Sequence, residues 1–184
     1  MSHFYTADPH FNHSAILRLC GRPFKTTAKM DNAILSKLQD VVRPDDDLWI
    51  LGDFAMAPAQ EQDYIQRLFD RIPGRKHLVS GNHDAAWLKE LDWASVDDLV
   101  EVNDGGQRLT LCHYPMLTWP GARKGALQLF GHVHKAWRGS RNSVNAGLDV
   151  WNFEPATARQ IAMRAATLPV NPLWNVVERG ITLD

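Results

Sequence analysis

Leu48-Trp49-Ile50-Leu51-Gly52-Asp53-Phe54 (LWILGDF) is the stretch on which the fold turns. Four consecutive apolar residues follow the acidic run Asp45 to Asp47. They read as a strand buried on both faces, as in the middle of a parallel sheet. The run stops at a glycine and a carboxylate, so the strand delivers Asp53 at its C-terminal end. The same grammar recurs on either side. Upstream, His3 to Ala7 reads as a short strand running into Asp8 and His10. Downstream, Lys76 to Ser80 leads into Gly81-Asn82-His83-Asp84, Arg108 to Cys112 into His113, and Leu127 to Phe130 into Gly131-His132-Val133-His134. Five apolar runs thus end in Asp, His or Asn, at the edge where α/β sheets build their sites.

Helices are expected between the early strands. Asn12 can cap a short helix from His13 to Cys20, with Gly21 ending it. A second follows Thr27, where Met30, Ile34, Leu38 and Val41 recur at helical spacing. Pro58 can open a third, with Ile65, Leu68, Phe69 and Ile72 as its apolar stripe, stopped by Pro73-Gly74. A short helix is expected from Asp84 to Leu91. Beyond it, Leu99 to Val102 and Arg108 to Cys112 form a hairpin around Gly105-Gly106. Leu127 to Phe130 and Ser143 to Ala146 follow as strands, and a last helix lies near Ala156 to Ala165. Strand and helix alternate in the first half, and the second half is strand-rich. One α/β domain spanning 1–184 is the simplest account, a sandwich of sheets with helices outside.

Composition bounds the partners. The 184 residues are 45% hydrophobic and 22% charged with formal net charge −1, which is ordinary for a globular protein and unlike a small basic nucleic-acid-binding module. Cys20 and Cys112 lack metal-finger spacing and read as reduced thiols. The N-terminus lacks the basic start and apolar run of a signal peptide, and no stretch approaches a membrane span. A cytoplasmic protein without a membrane partner is expected.

The eight histidines cluster beside Asp, Asn and Gly, where surface histidines would scatter. Imidazole, carboxylate and amide oxygen together suit borderline divalent ions, Mn, Fe, Zn or Ni. In Asp8-x-His10 and His132-x-His134 a straight strand puts both members on one face; at a turn they can instead reach two adjacent metals. Glycines 52, 81 and 131 remove bulk where the backbone turns or approaches closely. Two cations a few Å apart can clamp the oxygens of a phosphoryl group and generate hydroxide near neutral pH.

The ordered series D-x-H, GD, GNHD, H and GHVH, from Asp8 to His134, resembles the five-part signature of the calcineurin-like metallophosphoesterase superfamily. VNAGLDVWNF (Val144 to Phe153), CHYP and the start FYTADPHFNHS further resemble a small bacterial and phage branch of predicted phosphoesterases. The resemblance implies a dinuclear phosphoesterase fold, a β-sandwich flanked by helices. Asp8, His10 and His134 would hold one divalent ion, Asn82, His113 and His132 the other, and Asp53 would bridge them, with Mn the first choice. A bridging hydroxide would attack phosphorus in line. His83 would stand outside the metal shell, donating to a phosphate oxygen or protonating the leaving group. Asp84 would either orient His83 or cap the following helix.

Departures narrow the class. The protein-phosphatase branch extends its second motif to GD-x-x-D-R-G; here the text is Gly52-Asp53-Phe54-Ala55-Met56-Ala57-Pro58, without the second Asp and the Arg. A phosphodiesterase is therefore favoured over a phosphomonoesterase or nucleotide phosphatase. A non-catalytic metal-binding scaffold is the reading from a different class. A nucleotide or nucleic acid fits as substrate. Trp119 and Trp137 are the better candidates for stacking on bases, whereas Trp49 and Trp151 read as core. Arg123, Lys124, Lys135, Arg138 and Arg141 could steer a phosphorylated ligand. His13 and Arg22, beside the first motif, read either as phosphate contacts or as a solvated helix end.

Overall fold

A computed structural model describes residues 1–182. The LWIL run forms β2 (Asp47–Ile50), and its two faces serve two cores. Leu48 and Ile50 pack into a cluster with helix residues, while Trp49 and Leu51 join a second cluster with the other sheet. Alternation along a strand requires this division. β2 pairs in parallel with β1 (His3–Thr6) and β3 (Arg75–Val79), and β3 with β4 (Ser95–Asp97), giving the order β1-β2-β3-β4. The second sheet, β5-β6-β7-β9-β8, is mixed. It contains β5 (Leu99–Asp104), β6 (Gln107–Cys112), β7 (Leu127–Phe130), β8 (Gly139–Ser140) and β9 (Ser143–Asn145). The expected hairpin at Gly105-Gly106 joins β5 and β6.

The helices form where apolar spacing and caps agree. α2 (Thr27–Val41) starts at Thr26, whose hydroxyl accepts from the Lys29 N–H at 3.2 Å, and buries Met30, Ile34, Leu35 and Leu38. α3 (Gln62–Arg71) buries Ile65, Leu68 and Phe69, after a 3-10 turn at Ala59–Glu61 that follows Pro58. Against these pack α1 (Ser14–Leu19) through Ile16 and α4 (Ala86–Lys89) through Leu88. α5 (Ala158–Thr167) carries a full capping box at Thr157 and Gln160 and packs Ile161 and Ala165 into the cluster shared by the two sheets. The result is two sheets in contact, flanked by helices, as expected.

Several elements differ from the sequence reading. Asn12 does not cap α1: it sits at φ 59°, its N–H donates to Asp31, and the N-cap is His13. The helix expected over Asp84 to Leu91 shrinks to four residues because the Asp84 carboxylate binds backbone elsewhere. β4 has no apolar run to reveal it. A helix absent from the sequence reading, α6 (Pro172–Arg179), follows, with Pro172 in its first turn and Asn171 as its cap. No helix among the described residues is long and apolar enough to cross a membrane.

Candidate metal centre

The loops that leave the C-terminal ends of β1, β2, β3, β6 and β7 carry the Asp, Asn and His residues picked out in the sequence. Those residues do not continue their strands. β1 ends at Thr6 and β7 at Phe130, and Asp8, His10, Asp53, His132 and His134 all have φ between 46° and 68°. Left-handed backbone is uncommon outside glycine and concentrates where surrounding structure enforces it, typically at functional sites. Of the two readings of Asp8-x-His10 and His132-x-His134, straight strand or turn, the turn holds: each pair is displayed by a curled loop.

Hydrogen bonds between loops enforce the curl. The Asp8 N–H donates to Gly52 O at 3.1 Å, and the His10 N–H to Asp53 O at 3.0 Å. The His132 N–H donates to both Asp8 oxygens, at 3.0 and 3.1 Å. A side chain at Gly131 would place a Cβ 2.6 Å from Asp8 Oδ2, so this close approach requires glycine. Asp84 performs neither role expected of it. Its carboxylate accepts from the N–H groups of Gly81 at 2.8 Å, Asp53 at 3.0 Å and Phe54 at 2.8 Å. It ties the third motif to the second.

The side chains converge into two adjoining groups. Ligating atoms of Asp8, His10 and His134 lie within 4.8 Å of one another, and so do those of Asp8, Asp53 and His113. The Asp53 carboxylate stands between them, with Oδ2 3.4 Å from His10 Nε2 and Oδ1 3.5 Å from His113 Nε2. His113 donates from Nδ1 to Leu51 O at 2.8 Å, so the neutral ring carries its lone pair on Nε2. That lone pair faces Asp53 Oδ1 and, at 3.2 Å, Asn82 Oδ1, which in turn lies 3.0 Å from His132 Nδ1. Acceptors facing acceptors in a buried place call for a cation. His10 Nε2 adds to this: it is buried and has no hydrogen-bond partner. The donor set, mixed imidazole, carboxylate and amide oxygen, therefore fits divalent metal.

The floor of the site is buried and its rim is open. Asp8, His10, Asp53 and His113 are each no more than 2% exposed, whereas Asn82, His83 and His132 are exposed. The His83 ring lies 5.7 Å from that of His10 and 6.3 Å from that of His13. His13, whose Nδ1 lies 3.1 Å from His10 Nδ1, is half-buried and borders the site. A cavity of about 400 Å³ adjoins the centre, lined by His10, His13, Leu19, His83, His134 and Lys135 among others.

Burial raises the Asp8 carboxyl to about 6, partly offset by His134 and His113. Burial, together with Arg22 and the neighbouring histidines, drives His10 down to about 2. Burial also disfavours the charged form of His134, but its hydrogen bonds with Asp149 and Cys20 win and lift it to about 10. In the metal-free protein near neutral pH, Asp8 is then largely ionised, His10 neutral and His134 protonated. A divalent cation held there would have to displace the His134 proton, so its affinity should rise with pH from about 6 to about 10. Titration calorimetry at pH 7.5 in two buffers of different ionisation enthalpy should show roughly one proton released on filling that site. Binding that neither releases protons nor varies with pH would contradict this protonation pattern.

Other sequence candidates fall elsewhere. Arg22 is 4% exposed and spends its guanidinium on Asp149 and on backbone carbonyls, so it is not offered to a phosphate. Trp119 is 6% exposed, with its Nε1 donating to Ala126 O, and it cannot serve as a stacking platform. Trp137 is half-buried with one face on Phe130. Of the basic residues, Lys135 borders the centre, whereas Arg123 and Arg141 line a different cavity beside Leu127, at the opposite end of β7. Asp149 was missed, since nothing local in LDVW marks it; only the fold brings it to His134.

No family model matches the chain. It is similar to the uncharacterized protein MJ1445 of Methanocaldococcus jannaschii, with 26% identity over 84% of this chain and 85% of that protein. It is also similar to the Gene 66 protein of Mycobacterium phage D29, with 28% identity over 81% and 88%. Among solved structures it is similar to AQ665 from Aquifex aeolicus, a protein of unknown function, with 28% identity, a TM-score of 0.71, and coverage of 89% of this chain and 98% of that one. An archaeal phosphodiesterase is matched more loosely, at 16% identity and a TM-score of 0.48 over 80% and 84% of the two chains. A likeness that distant does not carry activity across.

Proposed function

We propose that this protein is a dinuclear metal-dependent phosphoesterase, acting on phosphodiesters in preference to monoesters. The observation that carries the reading is the Asp53 carboxylate, which turns one oxygen toward His10 and the other toward His113 at 3.4 and 3.5 Å. A carboxylate so placed suits two cations side by side. Asp8, His10 and His134 would hold one, and Asn82, His113 and His132 the other. Two such ions, Mn by first choice, supply charge neutralisation at a phosphoryl group and make water more acidic.

The chain's own residues do the rest. Asp84 holds the Asp53 and Gly81 loops in register through its three backbone hydrogen bonds. His83 stands at the exposed rim, where its imidazole can pass a proton to the leaving oxygen. Lys135 and His13 border the adjoining cavity and can meet the ester's polar groups. The open rim, together with the missing second Asp and Arg of the protein-phosphatase motif, favours a diester, with a nucleotide or nucleic acid among the candidates.

The test is turnover of paired chromogenic substrates by metal-stripped protein reconstituted with Mn. Both esters should be hydrolysed only with metal, and the diester faster. A folded protein that binds two Mn ions and turns over neither ester would support the non-catalytic scaffold reading.

A further inference from the structure

We infer that Asp149, locked in place by Arg22, is a positioning residue that fixes the tautomer and orientation of His134, so that Nδ1 carries a proton toward Asp149 and Nε2 is presented to Asp8 and His10. The inference rests on the metal-centre reading above and adds to it Arg22 and Asp149, which lie outside the five-part signature.

His134 Nδ1 lies 2.8 Å from Asp149 Oδ2, and the Asp149 side chain is fully buried. A buried carboxylate accepts, so the imidazole must donate there. Its other nitrogen is then the one left to join Asp8 and His10, with which it shares a ligand-sized cluster. Arg22 sets the carboxylate in turn. Its Nε donates to Asp149 Oδ1 at 3.0 Å and its Nη2 to Oδ2 at 2.9 Å, in the planar two-pronged geometry a lysine cannot reproduce.

The same guanidinium reaches the first motif. Nη2 donates to Asp8 O at 2.7 Å and Nη1 to Pro9 O at 2.8 Å. One buried ion pair thus registers the loop that carries Asp8 and His10 against the loop that carries His134. A carboxylate behind a metal-binding histidine is a recurring device, and its loss typically weakens metal binding about 10- to 100-fold.

Asp149→Asn and Arg22→Lys test this beside His134→Ala as the reference for a lost ligand. Asp47→Asn controls for damage to stability alone. Asp47 is a buried carboxylate paired with Arg75 and His77, at the start of β2 and away from the site. Mn binding by titration should show one site weakened about 10- to 100-fold in Asp149→Asn and in Arg22→Lys. The second site should be unchanged, and Asp47→Asn should bind as wild type while melting at lower temperature. Nitrogen-15 spectra of zinc-loaded wild type should give His134 a protonated Nδ1 and a metal-bound Nε2. In metal-free wild type, the Nδ1 proton of His134 should appear far downfield and slow to exchange, and this signal should vanish in Asp149→Asn.

Zinc on Nδ1, or wild-type Mn affinities in Asp149→Asn where His134→Ala loses a site, would overturn the inference while leaving the phosphoesterase reading intact. Wild type that binds no metal would sink the phosphoesterase reading, and the metal-free proton signal would still decide whether Asp149 orients His134. If Asp149→Asn failed to fold, Arg22→Lys and the wild-type spectra would decide.

Discussion

Asp53→Asn should abolish Mn-dependent ester hydrolysis, by on the order of 10³-fold or more, while leaving the metal-free protein at least as stable as wild type. The two halves of this expectation have one cause. Asp53 is 2% exposed and close enough to Asp8 to oppose its ionisation. Without a cation, two carboxylates in a buried place repel, and removing one charge relieves the repulsion. Asparagine preserves the shape and can still accept the His83 N–H through its oxygen, as Asp53 Oδ1 does at 2.9 Å. It cannot offer two anionic oxygens to two sides. Metal stoichiometry should fall from two to about one per chain, because the bridging group is lost. Thermal melting without metal, together with metal content and turnover after loading, checks all three. A variant that kept two ions and full activity would remove Asp53 from the bridging role.

His83→Ala should lower kcat by about 10²- to 10⁴-fold with both metals still bound. The ring stands at the open rim, and it is the backbone N–H of His83, not its imidazole, that bonds Asp53. Alanine keeps that bond and the loop with it, so the loss should lie in the chemical step. Substrates whose leaving group needs no proton should suffer least. An equal loss for good and poor leaving groups would make His83 a binding residue instead.

What the chain discloses without its structure depends on range. LWIL was legible because a strand buried on both faces must be apolar throughout. α2 and α3 were legible because their buried stripes repeat at helical spacing. β4 was not, since Ser95–Asp97 carries no apolar pattern and forms only through its pairing with β3. The site residues stood out as a set because each follows an apolar run. Their backbone did not, because a two-residue spacing fits strand and turn alike and does not disclose that Asp8, His10, His132 and His134 adopt left-handed φ. The pairing of Arg22 with Asp149 was illegible for a plainer reason. The two residues are 127 positions apart and meet only once the loops are folded together.

The hydrogen bonds that curl the ligand loops have a further consequence. Past the ends of β1 and β2 the chain keeps pairing: His10 to Asp53, then Phe11 to Phe54, then Met56 back to Phe11. Phe11 and Phe54 are themselves fully buried and in edge contact. The loops after β1 and β2 therefore belong to the same cooperative unit as the sheet, and they should open to hydrogen exchange only when the sheet does. Their ordering entropy is settled when the chain folds, so ion capture need not wait on a rearrangement. The converse is exposure to distant damage. A cavity made under β2, far from any ligand, should loosen these two loops together with the sheet.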